Sequence, residues 1–411
     1  MEKASTPEPG RVRGDGITPP SGRLRVAFLY NHDAPHQIAH SVMIARELAR
    51  SDEAFDVHIL ATSQTLIDHA RRVLDASAPT GITYLLLPEN RAQAVLGRIF
   101  DRIGPFSRIA NLWRHRRQLT SYDALVVPER TTLILRHLTG RRTPRMIYTR
   151  HGSGDRSIGF KKSAGKFDLV LFSGPKTRDR FLKAGYLRPE QTAIVGYPKF
   201  DTVDPDRPRR LFDNDRPTVV YCPNPDPALS SFYRFGLDIL EHFYQSDKYN
   251  LVFAPHVMLF KKKLHISLES FTMRWRPGIP KKYYDCPHIL IDTGSPALMD
   301  MTYMLAADMY LGDVSSQVYE FMLRPRPCVF LNAHGADWQG NPNYQFWTMG
   351  PVVSDLSMLD RALEEAKDPA YDRQRKVLFA QTFDMTDEPS STRAAAAIAE
   401  FLLKARPHPT A

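Results

Sequence analysis

The sequence predicts an α/β protein: two doubly wound, Rossmann-like domains of parallel sheet facing a central cleft. Short, continuously apolar runs alternate with helix-periodic segments along most of the chain, as in parallel strands covered on both faces. That rhythm breaks between Asp201 and Arg216, where Pro205, Pro208 and a mixture of arginine and aspartate replace apolar periodicity, and such a stretch reads as a linker. The chain of 411 residues also exceeds what one hydrophobic core usually holds.

Residues 1–22 are rich in Pro, Gly and charge with no apolar segment, and read as a disordered leader rather than a secretory signal. The first domain, 23–200, opens with the strand Leu24–Tyr30 and a polar loop, Asn31 to His36. A helix at 38–50, the strand Phe55–Ala61, a helix at 64–74 and the strand Ile82–Leu87 follow. The strand Ala124–Val127, a helix at 131–138 and the strands Met146–Thr149 and Leu169–Phe172 come next, then a helix at 175–184 and the strand Ala193–Val195. After the linker, 201–216, the second domain runs over 217–390. Its strands are expected at Val219–Cys222, Leu251–Ala254, Ile289–Ile291, Met309–Leu311 and Cys328–Leu331, with helices at 230–244, 297–306 and 316–323. A final helix and tail occupy 391–411. In open sheets of this kind ligands bind outside the carboxyl ends of the strands.

Lys plus Arg outnumber Asp plus Glu by 55 to 45, a balance that favours anionic partners. Zinc-finger spacing, an RNP segment and a helix-turn-helix signature are missing, so nucleic acid is not expected. Neither GxGxxG nor GxxxxGK[ST] occurs where it would mark a dinucleotide or P-loop site. Cys222, Cys286 and Cys328 are far apart in sequence; the pattern is that of a reducing compartment, the cytoplasm. From Arg91 to Arg117 apolar residues recur at three- and four-residue steps among Arg98, Arg102, Arg108, Arg114, Arg116 and Arg117, with Trp113 in the series. This is either an interfacial anchor for an anionic membrane or an ordinary helix pair packed on the sheet.

Several segments carry candidate chemistry. Asp313-Val314-Ser315-Ser316 follows an apolar strand and opens a helix with Glu320 one turn in. A helix N-terminus with two hydroxyls suits a phosphate, and Glu320 is placed for a sugar hydroxyl; an ordinary N-cap is the plain alternative. His151 and His256 each end an apolar strand. Facing one cleft from two domains, they would divide the roles of proton acceptor and charge stabiliser; the plain alternatives are a strand-end histidine satisfied by backbone for His151 and a loop histidine next to a solvated lysine run for His256. Gly196 to Asp201 forms a turn that serves the site or is merely a hinge. Pro223 and Asn224 lie on a rigid loop opposite Ser315.

Taken in order, these segments resemble the CDP-glycerol glycerophosphotransferase family, the teichoic-acid primase and polymerase-like enzymes of GT-B architecture. His151-Gly152-Ser153 with Gly159-Phe160, Gly196 to Asp201, Tyr221 to Asn224, His256, and Asp313 to Ser316 with Glu320 and Phe321 match its motifs over residues 145–335. Ser153-Gly154-Asp155, Asn224-Pro225 and Glu320 depart from the family's Thr-Pro-Leu, Thr-Trp-Arg and Asp. The resemblance implies transfer of glycerol phosphate or a related alditol phosphate from a CDP-linked donor to a hydroxyl of a phosphate-bearing or lipid-linked acceptor. It implies His151 as base, His256 as charge stabiliser, and Pro223, Asn224, Asp313, Ser315, Ser316 and Glu320 around the donor. Gly152, Ser153, Arg156 and Lys199 would meet acceptor or phosphate. No carboxylate cluster suggests a metal site; no cofactor is required, and a loosely bound Mg²⁺ is compatible with the reaction. A UDP-sugar glycosyltransferase or a UDP-N-acetylglucosamine 2-epimerase-like enzyme, using Pro128-Glu129-Arg130 and Arg150-His151-Gly152, is the alternative. By this reading the protein is cytoplasmic, or peripheral on the inner face of the cell membrane.

Overall fold

The computed structural model describes residues 22–404, apart from Asp33, Asp52, Glu53, 75–80, Arg102, Ile103, His151, Ser157, Ile158, Leu268 and Glu269. The expected leader (Gly22 excepted), the last seven residues of the tail and the His151 assignment lie outside the described residues.

In the first domain β1 (Leu24–Tyr30) is followed by a 3-10 turn at Pro35–His40, α1 (Val42–Ser51), β2 (Phe55–Ala61), α2 (Gln64–Val73) and β3 (Thr83–Leu86). Then come α3 (Arg91–Phe100), α4 (Phe106–Leu119), β4 (Ala124–Val127), α5 (Leu135–Thr139) and β5 (Arg145–Thr149), with β6 (Leu169–Phe172), α6 (Pro175–Lys183) and β7 (Thr192–Ile194) completing the unit. The strands form one sheet in the order β3-β2-β1-β4-β5-β6-β7, every pair parallel. Alternation explains why β1 is apolar and buried from Val26 to Tyr30. Val26, Phe28 and Tyr30 enter one core with α1 and α2, whereas Ala27 and Leu29 enter the core on the other face, so each successive side chain is buried.

The second domain holds β8 (Thr218–Cys222), α7 (Phe232–Gln245), β9 (Asn250–Phe253), β10 (Leu264–Ser267), β11 (Thr272–Trp275), β12 (Ile289–Ile291) and α8 (Thr302–Ala306). It continues through β13 (Met309–Gly312), α9 (Gln317–Phe321), β14 (Cys328–Leu331), β15 (Val352–Val353), α10 (Leu359–Glu365) and α11 (Ala370–Thr382). A second parallel sheet runs β12-β9-β8-β13-β14-β15, and β10 and β11 form a separate antiparallel hairpin. The chain then returns to the first domain. In α12 (Ser390–Lys404), Ala394, Ala395, Ile398 and Leu402 complete the core around α1. The turn after β7 receives it: Asp201 accepts from the Ser390 and Ser391 N–H groups, capping the helix with a carboxylate, and Ser390 Oγ accepts from Tyr197 N at 2.9 Å.

Three expected helices are shorter than their patterns suggest. The 131–138 segment is a 3-10 turn followed by α5. In 297–306, Asp300 caps Thr302 N and Met301 turns left-handed at φ 68°, so only α8 is helical beyond it. The helix at 316–323 is reduced to α9, because Arg324 precedes Pro325 and the α region is disfavoured there. The 91–117 series forms α3 and α4, with Leu112 in the core and Val95, Leu96, Phe100 and Trp113 exposed. Among the described residues no helix is long and apolar enough to cross a membrane.

Candidate functional site

Strand order reverses beside β1 in the first sheet and beside β8 in the second, and both switch points open on one interdomain cleft of about 560 Å³. Gly152, Arg156, Lys199, Asn224, His256, Ser315, Ser316 and Glu320, dispersed in sequence, line it together. Pro223, Asp313 and Ser153 sit behind that lining.

Asp313, fully buried at the end of β13, ties the second switch point together. Its carboxylate accepts from the backbone N–H of Asn224 (2.9 Å), Ser231 (2.6 Å) and Val314 (2.7 Å), and from Ser231 Oγ (2.8 Å). Asn224 Nδ2 closes the crevice by donating to Val314 O at 2.6 Å, while Trp347 Nε1 donates to Asp313 O at 3.0 Å. Burial pushes the Asp313 carboxyl up to about 6 from an ordinary 3.8, against the pull of those donors. The native protein therefore binds a proton that the unfolded chain releases between those values. This group's contribution to stability is full below about pH 3.8 and declines as pH rises through about 6. Asp313→Asn is expected to flatten that slope of melting temperature against pH. It should also cost about 1–3 kcal/mol at pH 7, since an amide NH2 would face donors.

The loop after β5 presses across from the first domain. Gly152 has φ +71°, and a Cβ built there would lie 3.3 Å from Ser316 Oγ; at Gly154 it would lie 3.1 Å from Ser316 Cβ. Side chains at either position would wedge the domains apart, so glycine is what permits this approach. Ser173 Oγ donates to Thr382 O, which leaves Ser153 to donate to Ser173 at 2.9 Å. Asp155 fixes the loop further, accepting from Lys176 Nζ (2.6 Å), Tyr319 Oη (2.7 Å) and Phe346 N (3.1 Å). Burial holds the Lys176 ammonium below its ordinary value, although Asp155 opposes that shift.

Histidines from both domains meet in the cleft. His256 N donates to Pro223 O at 3.1 Å, which is the positional role of Pro223. Its Nδ1 accepts from Met258 N at 3.3 Å, so the neutral ring carries its proton on Nε2. The partner ring is His36, edge-on at 5.8 Å between centroids. His40 also lines the cleft, packed against Tyr197 at 5.2 Å. Neither was among the sequence-derived candidates, although His36 closes the loop after β1, where the switch-point rule directs attention. Both neighbours of His151, Arg150 and Gly152, line the cleft.

Arg150 is walled by Phe160, Phe172 and Phe181, at 5.2, 5.8 and 5.0 Å from their ring centres. Burial lowers the guanidinium from its ordinary value, and its Nη1 finds no hydrogen-bond partner among the described residues. A cation so placed on the lining suits an anion. Arg156 reaches Asp226 of the other domain at 4.0 Å. Lys199 and Glu320, read separately as phosphate and ribose ligands, are paired here: Nζ donates to both carboxylate oxygens at 2.8 and 2.7 Å, and Tyr197 Oη adds a third bond at 3.0 Å. Glu129 of the epimerase-like segment caps its own turn, accepting from Thr132 N at 3.1 Å and from Thr131 N and Thr132 Oγ1.

No protein-family model matches the chain, and no curated protein matches it in sequence. Solved structures do resemble it. A putative UDP-N-acetylglucosamine 2-epimerase from Listeria monocytogenes has a TM-score of 0.60 at 11% identity, over 93% of this chain and 98% of that one. The wall teichoic acid polymerase TagF, in a histidine-to-asparagine variant soaked with CDPG, has a TM-score of 0.57 at 14% identity, over 93% and 88%. CalG4, the calicheamicin glycosyltransferase, has a TM-score of 0.53 at 13% identity, over 94% and 100%. What these proteins share with this chain is architecture: two facing parallel-sheet α/β domains, the GT-B fold.

Proposed function

We propose that the chain is a transferase that moves glycerol phosphate, or a related alditol phosphate, from a CDP-linked donor to a hydroxyl on a phosphate-bearing or lipid-linked acceptor in cell-surface polymer synthesis. One observation carries this reading: motif residues scattered from Gly152 to Glu320 converge on one cleft, with imidazoles from both domains at its mouth. The acceptor oxygen attacks the β-phosphorus and forms the new O–P bond, while the bridging P–O bond breaks and CMP departs with the electron pair. The hydroxyl proton passes to an imidazole of the first domain, assigned to His151. His256 Nε2–H donates to the phosphoryl oxygens as charge develops, and the Arg150 guanidinium offsets the diphosphate charge. Glu320 keeps acceptor capacity beyond Lys199 and Tyr197, enough for a ribose hydroxyl. No resident metal is needed in this scheme. The protein would work in the cytoplasm or against the inner face of the membrane, with α3 and α4 touching anionic lipid.

A donor screen tests the reading. CMP release is expected from CDP-glycerol or another CDP-alditol, stimulated by a polyol-phosphate acceptor. Turnover of UDP-N-acetylglucosamine, by epimerisation or sugar transfer, with CDP donors inert, would replace this function with the UDP-sugar alternative.

A further inference from the structure

The β10–β11 hairpin is folded inside out. Leu264 pairs with Trp275 and Ile266 with Met273, so all four side chains share one face. That face looks outward: Ile266 is 58% exposed, Met273 64% and Trp275 71%, while Phe271 at the tip is 94% exposed with φ 51°. The polar face turns inward. Ser267 Oγ donates to Asp226 at 3.2 Å, and His265 packs edge-on against Tyr233. A hairpin whose large apolar side chains face water while its Ser and His face protein is suited to meet something else.

We propose that this hairpin is a membrane-contact element that lies on an anionic bilayer. Charge selects that occupant. Residues 261–282 contain seven Lys or Arg and one Glu; Lys261, Lys262 and Lys263, which lead into the hairpin, are exposed, as is Arg274 at the edge of its other face. Aromatic and aliphatic tips ringed by Lys and Arg are the chemistry of the lipid interface. A second surface of the same composition stands on the first domain, where Trp113, Phe100, Leu96 and Val95 are exposed beside Arg114 and Arg117. A groove of about 1030 Å³ is lined by Gly97, Asp101 and Arg108 from the α3–α4 segment and by Met258, Lys261 and Lys262 from the segment leading into the hairpin. Arg108 and Met258 also line the cleft. Each domain thus presents an apolar surface among basic residues, on a segment that also lines the groove leading inward, and the hairpin supplies the second domain's share.

The test uses the full chain without donor or acceptor, so its result is independent of the transferase reading. Co-sedimentation with phosphatidylglycerol-containing vesicles is expected, with little on phosphatidylcholine alone and a decline as salt is raised. The triple variant Phe271→Ser, Met273→Ser, Trp275→Ser should lose about tenfold or more in vesicle affinity, with an unchanged melting temperature because those side chains face solvent. Binding undiminished in that variant would overturn the proposal. So would a dimer in sedimentation velocity that the same variant dissociates, since the face would then belong to a second copy of the chain.

Discussion

Replacing His256 with alanine is expected to slow CMP release from the donor by about 10²–10³-fold, the range for losing a positioned donor or acid–base group at a reacting phosphoryl centre. The geometry says why this residue should dominate. Its backbone N–H is held by Pro223 O and its Nδ1 by Met258 N, so the ring is oriented by local backbone and carries its proton on Nε2. Alanine keeps the backbone bond, so the melting temperature should hardly move while kcat falls. His256→Gln retains a side-chain N–H donor and should recover part of the rate, which a purely structural role would not predict. His36→Ala removes the ring packed on His256 and should cost about tenfold through loosened orientation. The same variants in a GT-B scaffold that binds polymer without turnover would leave function unchanged.

How legible was this in the sequence? The strands were, because a strand buried on both faces must be apolar at every position, as Val26 to Tyr30 are. The cleft's second half was legible for the same reason: Asn224 and Ser315 lie in the loops that follow neighbouring strands β8 and β13, and the switch-point rule places such loops together. What escaped depended on contacts distant in sequence or on an inverted local pattern. Lys199 and Glu320 are 121 residues apart, and nothing at either position announces the other. Asp313 reads as a ligand because it precedes two serines, yet its acceptors are taken up by the backbone of the loop it fixes. The β10–β11 alternation is present in Leu264-His265-Ile266-Ser267, but period two says only that faces differ, not which one is buried.

Lys199→Met is expected to destabilise the fold by about 3–5 kcal/mol, the cost of stranding a buried carboxylate without its partner. Both side chains are largely buried and the ion pair is bidentate, so water entering from the cleft replaces the lost bonds only in part. Tyr197 cannot compensate alone: its single hydroxyl already donates to Glu320, and burial, reinforced by that carboxylate, raises the phenol far above its ordinary value, keeping it a donor across the working pH range. Adding Glu320→Gln to Lys199→Met removes the orphaned charge, so the double variant should be more stable than Lys199→Met, a coupling that urea denaturation of all four proteins measures. Equal stability of the single and double variants would mean that Glu320 is hydrated or protonated when unpaired, and that the pair is worth little. Because Lys199 follows the first domain's last strand and Glu320 lies in α9 of the second, the bond also spans the cleft floor. Loss of the pair should therefore raise the KM for donor more than the double variant's remaining activity lowers kcat, since what it holds is the distance between the domains rather than the reacting atoms.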